Sequence, residues 1–329
     1  MAKYDNSSEG IILVLGVTGA GKSYFLNRLK DHSAKEGHSL RSETSECQAV
    51  QIYLDEDRKR SITVVDTPGF DDTERPHTDV LAEITDFLTA QHSSGVPLRG
   101  ILYLHKITDN KMTGSSMTYL RLFESLVGED ALQNVILVTT MWNRVRDEYR
   151  SDALRHEQEL LDDFWAPMED KGSYVAQFDG TPKSAYSLVF QLAAKESVVL
   201  DIQKELVDQD RSLLETSAGA GLIHQLEEDR EVYQLQLTKL DAQLQRELKS
   251  GSKDKVRDLK DKKAQVEKIL RLMDESMGRM SVRPGGPMRE RIKQAVRTGG
   301  REVKGHAVVV LAAVLNVTLF VVQLTVGGF

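Results

Sequence analysis

The 329-residue sequence predicts an α/β fold, with a mostly parallel sheet and helices on both faces, followed by an α-helical hairpin or coiled coil. Two observations predict the sheet. Short apolar runs rich in β-branched residues alternate with helical patterns, and a glycine-rich loop joins the first run to the first helix. A third observation predicts the hairpin, because residues 191–280 contain no proline and no strand pattern. A composition of 40% hydrophobic and 28% charged residues excludes a chain that is disordered throughout.

The first part of the chain contains five predicted strands. They lie at residues 11–15, 48–54, 61–65, 100–104 and 135–139. Helical patterns lie between them at residues 22–30, 78–91 and 117–126. Strands that alternate with helices favour a parallel sheet whose crossover helices cover both faces.

The second part contains two apolar stripes at helical spacing. The first stripe is Leu226, Tyr233, Leu237, Leu240 and Leu244, and the second is Val256, Leu259, Val266, Leu270, Met273, Met277 and Met280. The segment K-S-G-S-K at residues 249–253 separates them, because glycine and serine favour a turn. We therefore predict an antiparallel hairpin, which either packs on the first domain or self-associates as a coiled coil. The predicted domains are residues 1–192, 193–281 for the hairpin, 282–306 for a basic linker and 307–329 for a hydrophobic segment.

The C-terminal segment combines a basic flank with an uncharged apolar stretch. Residues 281–306 carry seven Lys and Arg against two Glu, although the whole chain has a net charge of −7. Residues 307–329 carry no charge, and as a helix they would span roughly 34 Å, enough for a hydrocarbon core of about 30 Å. This pattern predicts a tail anchor on the cytosolic face of an intracellular membrane. The alternative is a buried terminal helix or strand, since the segment contains eight valines.

Composition also limits location and partners. The single cysteine, Cys47, excludes an internal disulfide or a multi-cysteine metal cluster, and it fits the cytoplasm. The basic residues of 283–304 have no interleaved aromatic residues, so lipid headgroups rather than nucleic acid are the expected partner.

A phosphate-binding loop is predicted between the first strand and the first helix. Residues 16–23 read G-V-T-G-A-G-K-S and match G-x-x-x-x-G-K-[ST] in full. Glycines allow backbone N–H groups to face phosphate oxygens, and the helix N-terminus adds a favourable dipole. The Lys22 ammonium would reach the β- and γ-phosphates, and the Ser23 hydroxyl would bind Mg²⁺. The predicted nucleotide-binding residues here are Gly16, Thr18, Gly19, Ala20, Gly21, Lys22, Ser23 and Tyr24. Strand, loop and helix together predict a P-loop NTPase domain.

A second motif, D-T-P-G at residues 66–69, follows the predicted strand 61–65. An aspartate at a strand end can hold Mg²⁺ directly or through water, which assigns this role to Asp66. The Gly69 amide would sense a γ-phosphate and couple the nucleotide state to the loop at residues 70–77.

These motifs resemble those of the septin-related branch of the TRAFAC GTPases. G-V-T-G-A-G-K-S with D-T-P-G-F-D-D-T is similar to the GIMAP/Toc type, which comprises the GTPases of immunity-associated proteins and the plastid import receptors. More narrowly, the chain resembles fungal G-domain proteins with L-H-[KR]-I-T-D and T-T-M-W motifs, here at residues 104–109 and 139–142. The resemblance covers about residues 11–192. It implies a Ras-like G domain that binds GTP and GDP with Mg²⁺ and forms a homodimer through the G domain when GTP is bound.

The resemblance also implies two catalytic roles. Residues 42–47, S-E-T-S-E-C, are similar to a family switch segment in which Thr44 would complete Mg²⁺ coordination in the triphosphate state; the alternative is a solvated polar loop. Some family members have an arginine at the position of Lys106 that crosses a dimer interface, whereas a lysine cannot make the bidentate contact. The predicted catalytic residues are therefore Lys22, Thr44 and Lys106, and the predicted metal ligands are Ser23, Thr44 and Asp66.

The base-reading segment is expected directly after the strand 135–139. Residues 140–143 read T-M-W-N instead of N-K-x-D, so Asn143 replaces the aspartate that would accept from guanine N1–H and N2–H. Asparagine offers one acceptor and one donor, which predicts reduced guanine discrimination. Trp142 is expected to pack, and T-P-K-S-A at residues 181–185 lies where the family's fifth motif would fall.

The predicted function is a guanine-nucleotide switch with slow GTPase activity controlled by G-domain dimerisation, at a membrane surface. Phe70 and Asp71 follow Gly69, so no glutamine is present there to orient water, and the resembled family also has an apolar residue with slow or dimer-stimulated hydrolysis. The alternative is a nucleotide-binding scaffold without physiological turnover that acts through its helices. A third hypothesis, an ATP-using kinase, is disfavoured by the D-T-P-G motif.

Overall fold

The computed structural model describes residues 9–30, 48–56, 60–67, 77–109, 111–250, 253–281 and 318–323. The chain divides into two compact units, Met1–Asp210 with Pro284–Phe329, and Arg211–Arg283. The first unit contains the sheet and the second contains two long helices.

A seven-stranded sheet in the order β6-β5-β4-β1-β3-β2-β7 forms the first unit. Its strands are β1 (Glu9–Gly16), β2 (Gln48–Tyr53), β3 (Ser61–Asp66), β4 (Leu98–Lys106), β5 (Val135–Thr140), β6 (Tyr174–Gln177) and β7 (Thr318–Gln323). β1 is parallel to its neighbours β3 and β4, and β2 is antiparallel to β3. The mostly parallel sheet predicted from the sequence is confirmed.

The described residues of the two units also form the following helices, given in chain order. They are α1 (Lys22–Leu29), α2 (His77–Ser93), α3 (Gly114–Val127), α4 (Arg150–Leu160), α5 (Ala166–Glu169), α6 (Pro182–Ala193), α7 (Asp201–Gln203), α8 (Ser217–Ser250) and α9 (Lys253–Met280). In β1, residues 11–15 are at most 1% exposed. Their continuous apolar sequence, without polar alternation, is typical of a strand that is covered on both faces of the sheet. β1 lies between β3 and β4, where the chain order changes direction, and open α/β sheets place their ligands at the carboxyl ends of the strands near such a point.

The first unit extends beyond the domain boundary at residue 192 that the sequence predicted. The Val198 amide donates to Leu98 O over 2.8 Å, and the Asn134 side chain donates to Glu196 O over 2.8 Å. Gln203 is buried and donates to Leu88 O in α2 over 3.0 Å. These side-chain anchors attach residues 193–208 to the sheet domain, and no periodic apolar pattern in the sequence reports such contacts.

The second unit is the antiparallel helical hairpin that the sequence predicted. α8 ends at Ser250 and α9 begins at Lys253, so the helices change within the predicted turn. Ion pairs join Arg230 to Asp274 over 3.2 Å and Asp241 to Lys263 over 2.6 Å, which sets the helices in opposite directions. Val266 is 4% exposed, in agreement with its place in the second stripe.

The C-terminal apolar segment contributes a strand to the first unit. Residues 318–323 form β7, parallel to β2. This is the conformation favoured by the β-branched residues of the segment, and it agrees with the strand alternative of the sequence analysis. Within the described part of the chain, no helix combines the length and apolar character needed to cross a bilayer. The predicted basic linker, 282–306, lies outside the described residues.

Candidate nucleotide site

The predicted phosphate loop lies at the carboxyl end of β1. Gly16 ends this strand in register with Leu104 of β4, and a Cβ at Gly16 would lie 2.4 Å from the Leu104 carbonyl oxygen. Gly21 precedes α1 with a left-handed φ of 95°, a conformation that glycine adopts without strain. The two glycines let the chain turn tightly from strand to helix. The N-terminus of α1 therefore opens onto the loop.

Lys22 lies inside this loop. Its side chain is 6% exposed, and Nζ donates to Gly16 O over 3.0 Å and to Val17 O over 3.1 Å. A buried ammonium held by loop carbonyls provides fixed positive charge at the helix N-terminus. Both features favour an anion such as a polyphosphate.

Asp66 and Ser23 form the polar centre of the site. Ser23 Oγ donates to Asp66 Oδ2 over 2.7 Å, and the Asp66 side chain is fully buried. Burial raises the pKa of Asp66 to about 6, although the Lys22 charge and the Ser23 hydrogen bond oppose that rise. Within the described residues, Asp66 Oδ1 has no hydrogen-bond partner. A buried carboxylate oxygen without a donor fits a hard cation, so Ser23 and Asp66 are suited to hold Mg²⁺.

Two predicted site residues lie outside the described part of the chain. They are Thr44, the predicted third metal ligand, and Gly69, the predicted γ-phosphate sensor. The neighbouring Thr67 is described, and its hydroxyl donates to Val14 O in β1 over 3.1 Å. The D-T-P-G motif therefore begins where β3 is fixed to the central strand.

The T-M-W-N segment after β5 is attached directly to the phosphate loop. Thr140 Oγ1 donates to Ala20 O over 2.7 Å, so the fourth predicted motif contacts the first. Met141 adopts φ 65°, a left-handed turn that is uncommon for a side chain with a Cβ. Trp142 is 4% exposed, which confirms its predicted packing role, and its Nε1 donates to Thr139 Oγ1 over 2.9 Å.

A buried glutamate is linked to this segment by hydrogen bonds through Thr139. Glu157 of α4 accepts from Thr139 Oγ1 over 2.7 Å and from Gln177 Nε2 over 2.6 Å. The chain Trp142–Thr139–Glu157–Gln177 thus joins the ends of β5 and β6 through one carboxylate. α4 buries Glu157 together with Ala153 and Leu160, but the mostly polar sequence of this helix does not single out Glu157.

The Tyr24 hydroxyl, next to the phosphate loop, contacts both Asn143 and Gly180. Tyr24 OH donates to Gly180 O over 3.3 Å and accepts from Asn143 Nδ2 over 3.5 Å. Asn143 is exposed, so its amide oxygen is accessible to a ligand. Tyr24 also packs on Phe178, with ring centroids 6.1 Å apart.

The segment predicted as the fifth motif, residues 181–185, directly follows Gly180. Thr181 is the N-cap of α6 and accepts from the Ser184 amide over 3.1 Å, so residues 181–185 form a helix start. The residues that approach Tyr24 and Asn143 are instead 178–180. Gly180 is the one feature of this loop that could have been noticed in the sequence. It has φ 87°, and a Cβ there would lie 3.1 Å from Tyr24 OH, so glycine suits this position.

Lys106 ends β4 and forms an ion pair with Asp109 over 3.1 Å. Its neighbour His105 is buried edge-on against Trp165, with ring centroids 6.1 Å apart, and burial lowers the pKa of the imidazole. The sheet places the end of β4 beside the end of β1, yet the partner of Lys106 in this chain is a carboxylate of its own loop.

Similar structures share the α/β arrangement at low identity. Toc33 from Arabidopsis thaliana in complex with Mg²⁺ and GMPPNP is 17% identical, with TM-score 0.46 over 59% of this chain and 89% of that one. A structure of the chloroplast translocon components atToc33 and psToc159, whose GTPase activity depends on dimerization, is 17% identical, with TM-score 0.44 over 59% and 87%. An Aquifex aeolicus Era variant bound to GDP·AlF₄⁻ is 16% identical, with TM-score 0.42 over 58% and 57%.

The family model of the AIG1 family matches residues 10–180. This range begins in β1, includes the phosphate loop, Asp66 and the T-M-W-N segment, and ends at Gly180. It covers more than half of the 329 residues. The chain belongs to the AIG1 family.

Proposed function

We propose that this protein is a guanine-nucleotide switch that binds GTP and GDP with Mg²⁺, hydrolyses GTP slowly as a G-domain dimer, and acts at a membrane surface. The observation that carries the nucleotide site is the arrangement of Lys22, Ser23 and Asp66 at one end of the sheet. A buried ammonium, a hydroxyl and a carboxylate with one unpartnered oxygen match the needs of a magnesium-bound polyphosphate.

The charged and polar side chains of the site have two separate proposed roles, phosphate binding and metal binding. Lys22 and the N-terminus of α1 neutralise and orient the phosphates, and Ser23 and Asp66 hold the metal ion. Ser23 and Asp66 would hold Mg²⁺, which would supply Lewis-acid stabilisation of the charge that develops during phosphoryl transfer. Because the loop is fixed to β5 through Thr140 and Ala20, phosphate binding and base binding share one rigid frame. Thr44 and Gly69 are proposed to complete the site in the triphosphate state.

Slow turnover in the single chain is proposed because the sequence directly after Gly69 lacks a glutamine that could orient the attacking water. A positioned glutamine or arginine finger contributes about 10³-fold or more in related reactions. Residues 70–77 contain no glutamine, and Lys106 pairs with Asp109. A second G domain is the proposed source of the missing group, with Lys106 at the interface.

Membrane association is proposed from the C-terminal sequence. Residues 307–329 are uncharged and follow seven Lys and Arg in residues 281–306. Such a segment suits the cytosolic face of an anionic membrane.

The test is GTP binding and turnover by the full chain at increasing protein concentration. Lys22→Ala is expected to abolish binding, whereas Lys260→Ala, on the exposed face of α9, is a matched control that should bind normally. Turnover per molecule should rise with protein concentration. Retained micromolar affinity in Lys22→Ala would exclude this site.

A scaffold without physiological turnover is the second candidate. It is favoured by Asn143 in place of the base-reading aspartate and by the engaged state of Lys106. Tight nucleotide binding with turnover that is independent of protein concentration would select it.

A further inference from the structure

The C-terminal strand β7 covers one edge of the sheet. Its six residues run parallel to β2 from the pair Gln48–Thr318 to the pair Tyr53–Gln323. β2 is paired on its other side with β3. It is therefore an interior strand while β7 is in place, and it becomes a sheet edge with unpaired backbone groups when β7 leaves.

The same residues belong to the most apolar stretch of the chain. From residue 308 to residue 326, 15 of 19 residues are apolar, and all 23 residues from 307 to 329 are uncharged. Six of these 23 residues form β7. The segment that completes the sheet is thus also the segment that suits a bilayer.

The two environments require different backbone conformations. In β7 the backbone groups pair with β2, at about 3.3 Å per residue. In a hydrocarbon core every backbone group must be satisfied within the segment, which demands a helix. One molecule of the protein therefore cannot hold β7 on β2 and insert the same residues into a membrane.

We infer that the β2 edge and an anionic lipid bilayer compete for the C-terminal segment, so that the sheet stores a membrane-inserting segment as β7. The basic residues at 283–304 directly precede this segment and would draw it toward anionic headgroups. This inference rests on the proposed membrane association.

A reversible cross-link between β2 and β7 tests the competition. Tyr53→Cys and Gln323→Cys are introduced into the full chain with Cys47→Ser, which removes the only native thiol. A short bismethanethiosulfonate reagent spans neighbouring strands, which lie about 4.8 Å apart, and a reducing agent releases it. Binding is measured by flotation with phosphatidylcholine vesicles containing about one fifth phosphatidylserine. The control pair is Asp241→Cys with Lys263→Cys, which joins the two helices of the hairpin and leaves β7 untouched.

The expected result is loss of vesicle binding in the cross-linked β2–β7 protein, full recovery on reduction, and no effect in the control pair. Hydrogen exchange gives an independent readout, since the β2 amides that face β7 should lose protection when vesicles are added, whereas those paired with β3 should not. Equal binding by cross-linked and reduced protein would overturn the storage inference and leave membrane association standing. Failure of both forms to bind would overturn membrane association itself, and failure of the cross-link to form would show that β7 is not seated on β2.

Discussion

The Ser23 hydroxyl donates a 2.7 Å hydrogen bond to Asp66 Oδ2, which joins the start of α1 to the end of β3 across 43 residues of sequence. The other carboxylate oxygen, Oδ1, is buried without a partner among the described residues. Because Lys22 precedes Ser23 and is itself buried, the proposed phosphate-binding and metal-binding side chains lie within one turn of helix. Four predictions follow from this arrangement and from the contacts around it.

Asp66→Asn should remove the magnesium dependence of nucleotide binding. Asparagine keeps the size of the side chain but loses the negative charge that a divalent cation needs. We expect nucleotide affinity in the presence of Mg²⁺ to fall about 10- to 100-fold, the range found when groups around a bound metal are altered. Titration calorimetry with and without Mg²⁺ measures this. Asp152→Asn, on the exposed side of α4, is the control.

Magnesium binding should weaken in acid, with release of a proton. Burial raises the pKa of Asp66 from 3.8 to about 6, so the carboxyl must ionise to bind the metal near and below that pH. Apparent magnesium affinity should fall about tenfold per pH unit below pH 6. Without metal the sign for stability is opposite. The native state holds the proton more tightly than the unfolded state, so this group lowers the free energy of unfolding as pH rises from 3.8 to about 6.

Calorimetry in buffers of different ionisation enthalpy would measure that proton directly. A magnesium affinity that stays constant between about pH 5 and about pH 7.5 would contradict the assignment of Asp66. Asp66→Asn should show no proton release, which separates this carboxyl from others in the chain.

Tyr24→Phe should loosen the two loops that its hydroxyl joins. The change removes the hydrogen bonds to Gly180 O and from Asn143 Nδ2, both of which are long, at 3.3 and 3.5 Å. Net loss of a hydrogen bond costs about 0.5–1.5 kcal/mol, so nucleotide affinity should fall by up to about tenfold. Tyr174→Phe, in an exposed tyrosine of β6, is the control. Titration calorimetry should show a lower nucleotide affinity in Tyr24→Phe and an unchanged affinity in Tyr174→Phe. Equal affinities in the two variants would contradict the proposed role of the Tyr24 hydroxyl.

Asn143→Asp should strengthen and sharpen guanine binding. Aspartate supplies two acceptor oxygens for guanine N1–H and N2–H, where asparagine supplies one. Hydrogen bonds to a charged group contribute about 1.5–3 kcal/mol, so we expect at least about a tenfold gain in GDP affinity. Comparison of GDP with IDP, which lacks the 2-amino group, isolates the contact. An unchanged preference would place the base away from Asn143.

The parts of the fold that sequence reasoning located are those with local signals. The phosphate loop, its helix and β1 follow from a glycine motif after an apolar run, and the hairpin follows from apolar stripes broken at residues 249–253. Asp66 was predicted as a strand end, and β3 does end there. In each case neighbouring residues alone determine the conformation.

The features that sequence reasoning missed depend on distant contacts. The attachment of residues 193–208 rests on Gln203 and Asn134, whose partners lie more than 60 residues away. Glu157 accepts from Thr139, which in turn accepts from Trp142, and the mostly polar sequence of α4 does not report this contact. The contact between Gly180 and Tyr24 was not predicted, because these residues lie 156 positions apart in the sequence. Such tertiary hydrogen bonds leave no periodic trace in one sequence.

Guanine-nucleotide binding at the Lys22–Asp66 site can be measured by isothermal titration of the full chain with GDP, a non-hydrolysable GTP analogue and ATP, each with Mg²⁺. Both guanine nucleotides should bind with micromolar or tighter affinity, ATP should bind more weakly, and Lys22→Ala should lose all binding. Equal binding of ATP and GTP would contradict guanine recognition at Asn143, and no binding of any nucleotide would contradict the site itself.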